Sequence, residues 1–173
     1  LLGVTGDDTG GSEYFRFLGD RDGLTVDPGR PAPYVGNRVP SVDPAATLPL
    51  YRALERAIRQ GHVRSAATPG KGGLAHALAR KAMAGGLGMS LDLDVPGLAP
   101  DVALFSESNG RFVITVASDR AGAFEALFAG LPCRRVGVVT ETPYLRATLR
   151  GSLRIDLPVA ALKAAYKEPL AHV

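Results

Sequence analysis

The stretch RSAATPGKGGLAHALARKAMAGGLG, Arg64 to Gly88, sets a glycine-rich turn holding a lysine between two regular elements. His62 to Ala67 reads as a strand, and Gly73 to Ala84 as a helix with Leu74 and Leu78 one turn apart on a common face. The helix is rich in alanine, so it can lie close against a sheet. Strand, turn and helix in this order invite comparison with a phosphate loop, but the residues do not fit one. A P-loop needs G-x-x-x-x-G-K followed by Ser or Thr, whose hydroxyl holds magnesium. Here Lys71 is followed by Gly72 and Gly73, and the first glycine is missing at the required spacing. No G-x-G-x-x-G opens the helix either. Helix-start amides attract anions, yet a plain tight turn is the ordinary use of such glycines.

Outward from this turn the chain alternates strands and helices irregularly. On the N-terminal side, Leu1 to Thr5 reads as a short strand, and Asp8 and Thr9 as caps of a short helix. The Pro-, Gly- and Asp-rich span 19–43 reads as a long surface loop. Asp43-Pro44 is a strong helix start, followed by Leu50, Tyr51, Leu54 and Ile58 at helical spacing, and Gly61 stops it. On the C-terminal side, MSLDLDV (Met89–Val95) alternates like a half-buried strand, and RFVITVA (Arg111–Ala117) is the most β-prone segment. A helix from about Gly122 to Ala129 precedes a strand in RRVGVVT (Arg134–Thr140). LRATLRGSLRIDL (Leu145–Leu157) predicts a hairpin turning at Gly151-Ser152, and Pro158 to Lys167 a last helix. The pattern is α+β: helices packed on a mixed or antiparallel β-sheet, one domain over 1–173.

Composition narrows the function classes. A chain of 173 residues, 46% hydrophobic and 21% charged, can bury a true core. No apolar run is long enough to span a bilayer, and the expected location is cytoplasmic. The single cysteine, Cys133, excludes an internal disulfide framework and reads as a small buried apolar residue. The net charge of +3 comes from dispersed arginines, with few aromatics and no tryptophan, so no nucleic-acid partner is expected. The chain opens at Leu1-Leu2, already inside an apolar segment, and reads as a piece of a longer chain.

Three polar turns are candidates for chemistry. In TGGSEY (Thr9–Tyr14), Gly10 and Gly11 let a ligand approach the backbone, and Ser12 and Glu13 stand at a helix start; a well-capped helix explains the same residues. Gly72 and Gly73 form the second turn. In LFSESNGRF (Leu104–Phe112), Ser106, Glu107 and Ser108 lie before the strong strand, where a sugar, a phosphate or a metal could bind, or a solvated turn could sit. Arg111 is the nearest cation, and pairing with Glu107 is its plain alternative. His62, His76 and His172 have no metal-ligand spacing with one another or with Cys133, and no G-x-S-x-G elbow is present.

Taken in order, LLGVTGDDTGGSEYF, SAATPGKGGLAHALARKAMAGGLG, LFSESNGRFVITV and RRVGVV resemble the C-terminal domain of phosphoribosylformylglycinamidine synthase, in the aminoimidazole ribonucleotide synthetase-related superfamily. The resemblance covers Leu1 to about Val139. It implies a part of an ATP-dependent ligase of purine biosynthesis that uses glutamine-derived ammonia. The cofactors implied for the full enzyme are ATP and Mg2+, with none expected on this fragment alone. The partners implied are the remaining synthetase domains, a glutaminase domain or subunit, and a small ribonucleotide substrate. It also implies a non-catalytic domain with a degenerate ligand loop: no catalytic and no metal-binding residue is expected. The substrate- or phosphate-binding residues would be Gly10, Gly11, Ser12, Glu13, Gly72, Gly73, Ser106, Glu107, Ser108 and Arg111. The family usually reads H-D-x-S-D-G-G-L where this chain has Ala67 to Leu74, so the histidine and both aspartates are gone and Lys71 replaces the second. Arg80 likewise replaces an acid later in the helix, and magnesium chemistry at this turn is not expected. The rival readings are a scaffold domain that binds no ligand, and the C-terminal domain of another ATP-dependent synthase of the superfamily.

Overall fold

The computed structural model describes residues 1–23, 36 and 38–170. Helix α1 is Glu13–Arg21, capped by Ser12, whose Oγ accepts from the Phe15 amide. The cap is therefore one turn later than Asp8 and Thr9, which lie in the loop before it. Because α1 continues through Gly19 and Asp20, the loop expected over 19–43 starts later; most of that span, 24–35 and 37, lies outside the described residues. Helix α2, Pro44–Arg59, begins as the sequence predicts: the Asp43 carboxylate accepts from the Ala45 and Ala46 amides. Its buried stripe is Leu50, Ala53, Leu54 and Ala57, while Tyr51 and Ile58 face outward.

The strands form two sheets rather than one. β1 (Val63–Ala67) pairs antiparallel with β3 (Val113–Val116). A mixed four-stranded sheet runs β4 (Gly137–Thr140), β2 (Gly88–Asp92), β5 (Tyr144–Leu149), β6 (Ser152–Pro158). β2 and β5 are parallel and the two outer pairs antiparallel. The β5–β6 turn sits at Arg150-Gly151, one residue before the expected place. Both residues have positive φ (52° and 69°), the mirror-image turn whose twist suits a two-residue hairpin. Leu1 to Thr5 forms no strand; Leu2 alone bridges Phe112 and Cys133.

Helices pack on both sheets. α3 (Gly73–Gly85) places Leu74, Ala77, Leu78 and Ala82 against Met89, Leu91, Leu145, Ala147 and Leu149 in one core. α6 (Val159–Lys167) closes the same core through Val159. A second core joins Leu2 and the α2 stripe to Phe124 and Phe128, at and just beyond the end of α5 (Ala121–Leu127). The short helix α4, Pro100–Phe105, is not among the helices the sequence predicts. Its Ala103 and Leu104 are buried, and its end delivers Ser106 to the foot of α3. No described helix is long and apolar enough to cross a membrane.

Candidate functional site

Three loops meet at the N-termini of α1 and α3, and Glu107 joins them. Its Oε1 accepts from the Glu13 amide at 3.0 Å and from the Gly72 amide at 2.8 Å. These are donors at the starts of two helices, where a carboxylate is favoured by the exposed amides and the helix dipole. TGGSEY, GKGG and LFSES are thus neighbours in space, although Glu13 and Glu107 lie 94 residues apart. The Glu107 amide in turn donates to the Asp8 carbonyl.

The serines on either side face the other way, as alternate residues of an extended segment must. Ser106 and Ser108 are both buried, and their hydroxyls lie 2.9 Å apart. Ser106 Oγ donates to the Gly6 carbonyl at 2.7 Å and accepts from the Asp8 amide. Ser108 Oγ accepts from the Gly6 amide and donates to the Asp8 carboxylate at 2.5 Å. Ser12 is equally committed, donating to the Thr9 carbonyl at 2.6 Å while capping α1.

Arg111 does not pair with Glu107. Only 1% exposed, it donates from Nε to the Ser108 carbonyl, from Nη2 to the Ser106 carbonyl and from Nη1 to Thr5 Oγ1, at 3.0, 2.5 and 3.1 Å. Burial pushes its pKa down to about 10, and the nearby Asp8 and Glu107 carboxylates oppose the shift. It is still a cation at neutral pH, clamping the backbone of the SES segment.

Of the ten residues predicted for a ligand, Gly10, Ser12, Gly73, Ser106, Ser108 and Arg111 are buried, and Gly11, Glu13, Gly72 and Glu107 reach the surface. Gly10 is pinned where its amide donates to the Arg38 carbonyl. Sequence reasoning missed Asp8 and Gly6 as the other half of the serine network. Their signal was the S-x-S spacing, which puts two hydroxyls on one side in search of partners. It also missed Tyr14, which stacks on Phe105 with ring centroids 4.9 Å apart and donates to Asp101 at 2.8 Å.

The donor set does not fit a magnesium ion. Glu107 is held by two amides, Asp8 by Ser108, and Glu13 by Arg16 at 2.6 Å and Lys71 at 3.7 Å. The Arg16 hydrogen bond, above all, keeps the Glu13 carboxyl below its ordinary pKa. Among the described residues no cluster of three or more His, Cys, Asp or Glu side chains could hold a metal.

Lys71 itself extends into solvent, its side chain 85% exposed. Lys71→Ala is therefore expected to change stability by less than about 0.5 kcal/mol, as exposed sites do. A thermal melt of that variant checks it, and a loss several times larger would show that the Glu13 contact holds the turn.

A mixed sheet under α3, with helix starts gathered on an SES segment, defines the class. The chain belongs to the family described as AIR synthase related protein, C-terminal domain, whose model matches residues 1–150. Within that class it is similar to phosphoribosylformylglycinamidine synthase subunit PurL. The Parafrankia sp. (strain EAN1pec) protein is 34% identical over 172 residues, 98% of this chain and 20% of its own length. Among solved structures, T. maritima PurL complexed with FGAR matches 93% of this chain and 26% of its own, at 26% identity and TM-score 0.74. T. maritima PurL complexed with ATP matches 70% of this chain and 22% of its own, at 28% identity and TM-score 0.64. The chain thus spans about a fifth of the length of the curated relatives it matches.

Proposed function

We propose that this chain is the C-terminal domain of a phosphoribosylformylglycinamidine synthase and holds no catalytic residue of its own. The full enzyme would convert formylglycinamide ribonucleotide to the amidine in the cytoplasm, using ATP, Mg2+ and ammonia from a glutaminase partner. In that reading the loop cluster forms one wall of a ribonucleotide site. Gly11, Glu13, Gly72 and Glu107 face the ligand, and Gly10, Ser12, Gly73, Ser106, Ser108 and Arg111 hold them in place. The observation that carries the reading is the convergence of three distant loops on two helix N-termini, a disposition suited to an anion.

A second reading rests on one specific contact. The Glu107 carboxylate already takes the place an anionic group would occupy, accepting from the Glu13 and Gly72 amides. A ligand phosphate would have to displace it against charge repulsion, so the domain would act as scaffold alone.

Calorimetry separates the two. Heat on titrating the 173-residue chain with formylglycinamide ribonucleotide supports the ligand wall, and no heat supports the scaffold. Under either reading, the chain mixed with ATP, ammonia and the ribonucleotide is expected to show no substrate-dependent ATP hydrolysis. Turnover by this chain alone would overturn the non-catalytic assignment.

A further inference from the structure

Away from the loop cluster, a groove of about 1200 Å3 opens between β1, α3 and α6, sharing no residue with the site above. Five cations line it: Arg64 on β1, Arg80 and Lys81 on α3, and Lys163 and Lys167 on α6. Among the described residues no carboxylate lines it, and none of the five is in an ion pair. Cations gathered without counter-charge repel one another, and a compact fold does not collect them for its own stability.

Lys81 is the centre of this arrangement. Its ammonium donates to the Ser65 hydroxyl, which lies 2.5 Å from the Thr115 hydroxyl. It is half-buried, and burial pushes its pKa down. A cation partly withdrawn from water and bonded only to a hydroxyl lacks the compensation that a carboxylate would supply.

Apart from Ser65, Thr68 and Thr115, the rest of the lining is apolar, and part of it is open to solvent. Ile58, Leu87, Val139 and Tyr166 border the groove at 52%, 43%, 45% and 55% exposure. Contiguous exposed apolar side chains within a polar rim mark a recognition surface. The groove is larger than the roughly 300–1,000 Å3 of ordinary small-molecule pockets. It offers little aromatic surface for stacked bases. An apolar trough flanked by cations on separate elements matches the way an amphipathic helix is received, apolar face down and charges to the sides.

We propose that this groove receives an acidic amphipathic segment of a partner polypeptide. Apolar side chains of the segment cover Ile58, Leu87 and Tyr166, and its carboxylates face Lys81, Arg80 and the two α6 lysines.

The test uses the 173-residue chain and a fluorescent peptide of about 18 residues, Glu-rich, with leucines at i, i+3, i+4 and i+7. A scrambled peptide of the same composition and a single-stranded oligonucleotide are the competitors. The patterned peptide should bind at least about tenfold tighter than the scrambled one, and Lys163→Glu with Lys167→Glu should weaken it at least about tenfold. Both lysines are exposed, so the doubly substituted chain should melt normally. Amide NMR shifts should fall on α3, α6 and β1. Equal binding of the scrambled peptide, stronger competition by the oligonucleotide, shifts elsewhere, or no saturable binding at low salt would each overturn the proposal.

Discussion

Gly73→Ala should cost about 3 kcal/mol or more, combining a left-handed backbone penalty of about 1–2 with overpacking of about 1–3. Gly73 has φ 64°, and a Cβ there would lie 2.7 Å from the Phe105 carbonyl carbon and from the Ser106 oxygen, and 2.8 Å from the Leu104 oxygen. All three atoms belong to the backbone at the end of α4, so no rotamer change relieves the contact. The helix start would have to move away from the SES segment, stretching the Gly72–Glu107 hydrogen bond with it. For a chain of this size the melting temperature should fall by roughly 10 °C. Gly70→Ala is the control, since a Cβ there meets nothing within 4 Å. A Gly73→Ala melt within a degree or two of the parent would show that the close approach is not a constraint.

Arg111→Met should be comparably severe. It keeps the apolar stem but removes three donors, leaving the buried Ser106 and Ser108 carbonyls, and the partly buried Thr5 hydroxyl, without this partner. Each unsatisfied buried acceptor costs about 1–3 kcal/mol, so a total of about 3 kcal/mol is expected after the relief of burying one charge fewer. Arg111→Lys separates charge from geometry: a lysine retains the cation but not the planar fork, and should recover less than half of the loss. Denaturant melts of the two variants decide it. If Arg111→Lys is as stable as the parent, charge rather than the three-way clamp holds the segment.

The fold was legible where a signal was local. Asp43-Pro44 starts α2 because a side-chain acceptor and a preset φ act within one turn. The alternation of Met89 to Asp92 survives as buried and exposed faces of β2, and the Gly72-Gly73 turn has the left-handed geometry its residues suggest. The resemblance and the family match agree on the class of domain. What failed depended on partners far along the chain. Thr9 looks like a cap, but its carbonyl accepts from Ser12, and Asp8 is drawn to Ser108 and Glu107. The strand expected at Leu1 to Thr5 is reduced to one bridging residue. α4 is a single short helix whose apolar residues read equally as any buried segment. For the site, the right three segments were visible, but not the division of labour. Nothing local says that Glu107 turns toward two helix amides while its flanking serines turn inward, or that Arg111 binds carbonyls.

Leu2, held between Phe112 and Cys133, has a consequence for the order in which the molecule comes together. The first residues cannot find their places until most of the chain is available. The added entropy of closing so long a loop is small, since it grows only with the logarithm of its length, but the search is slow. The β5–β6 hairpin and the α2 and α3 helices need no such wait. The serine network and the Glu13–Glu107 bond span 94 to 102 residues, so they need far more of the chain than the local elements do. Until Phe112 and Cys133 have been synthesised, Leu2 has neither of its bridging partners, and apolar surface left uncovered in such an interval is prone to wrong association.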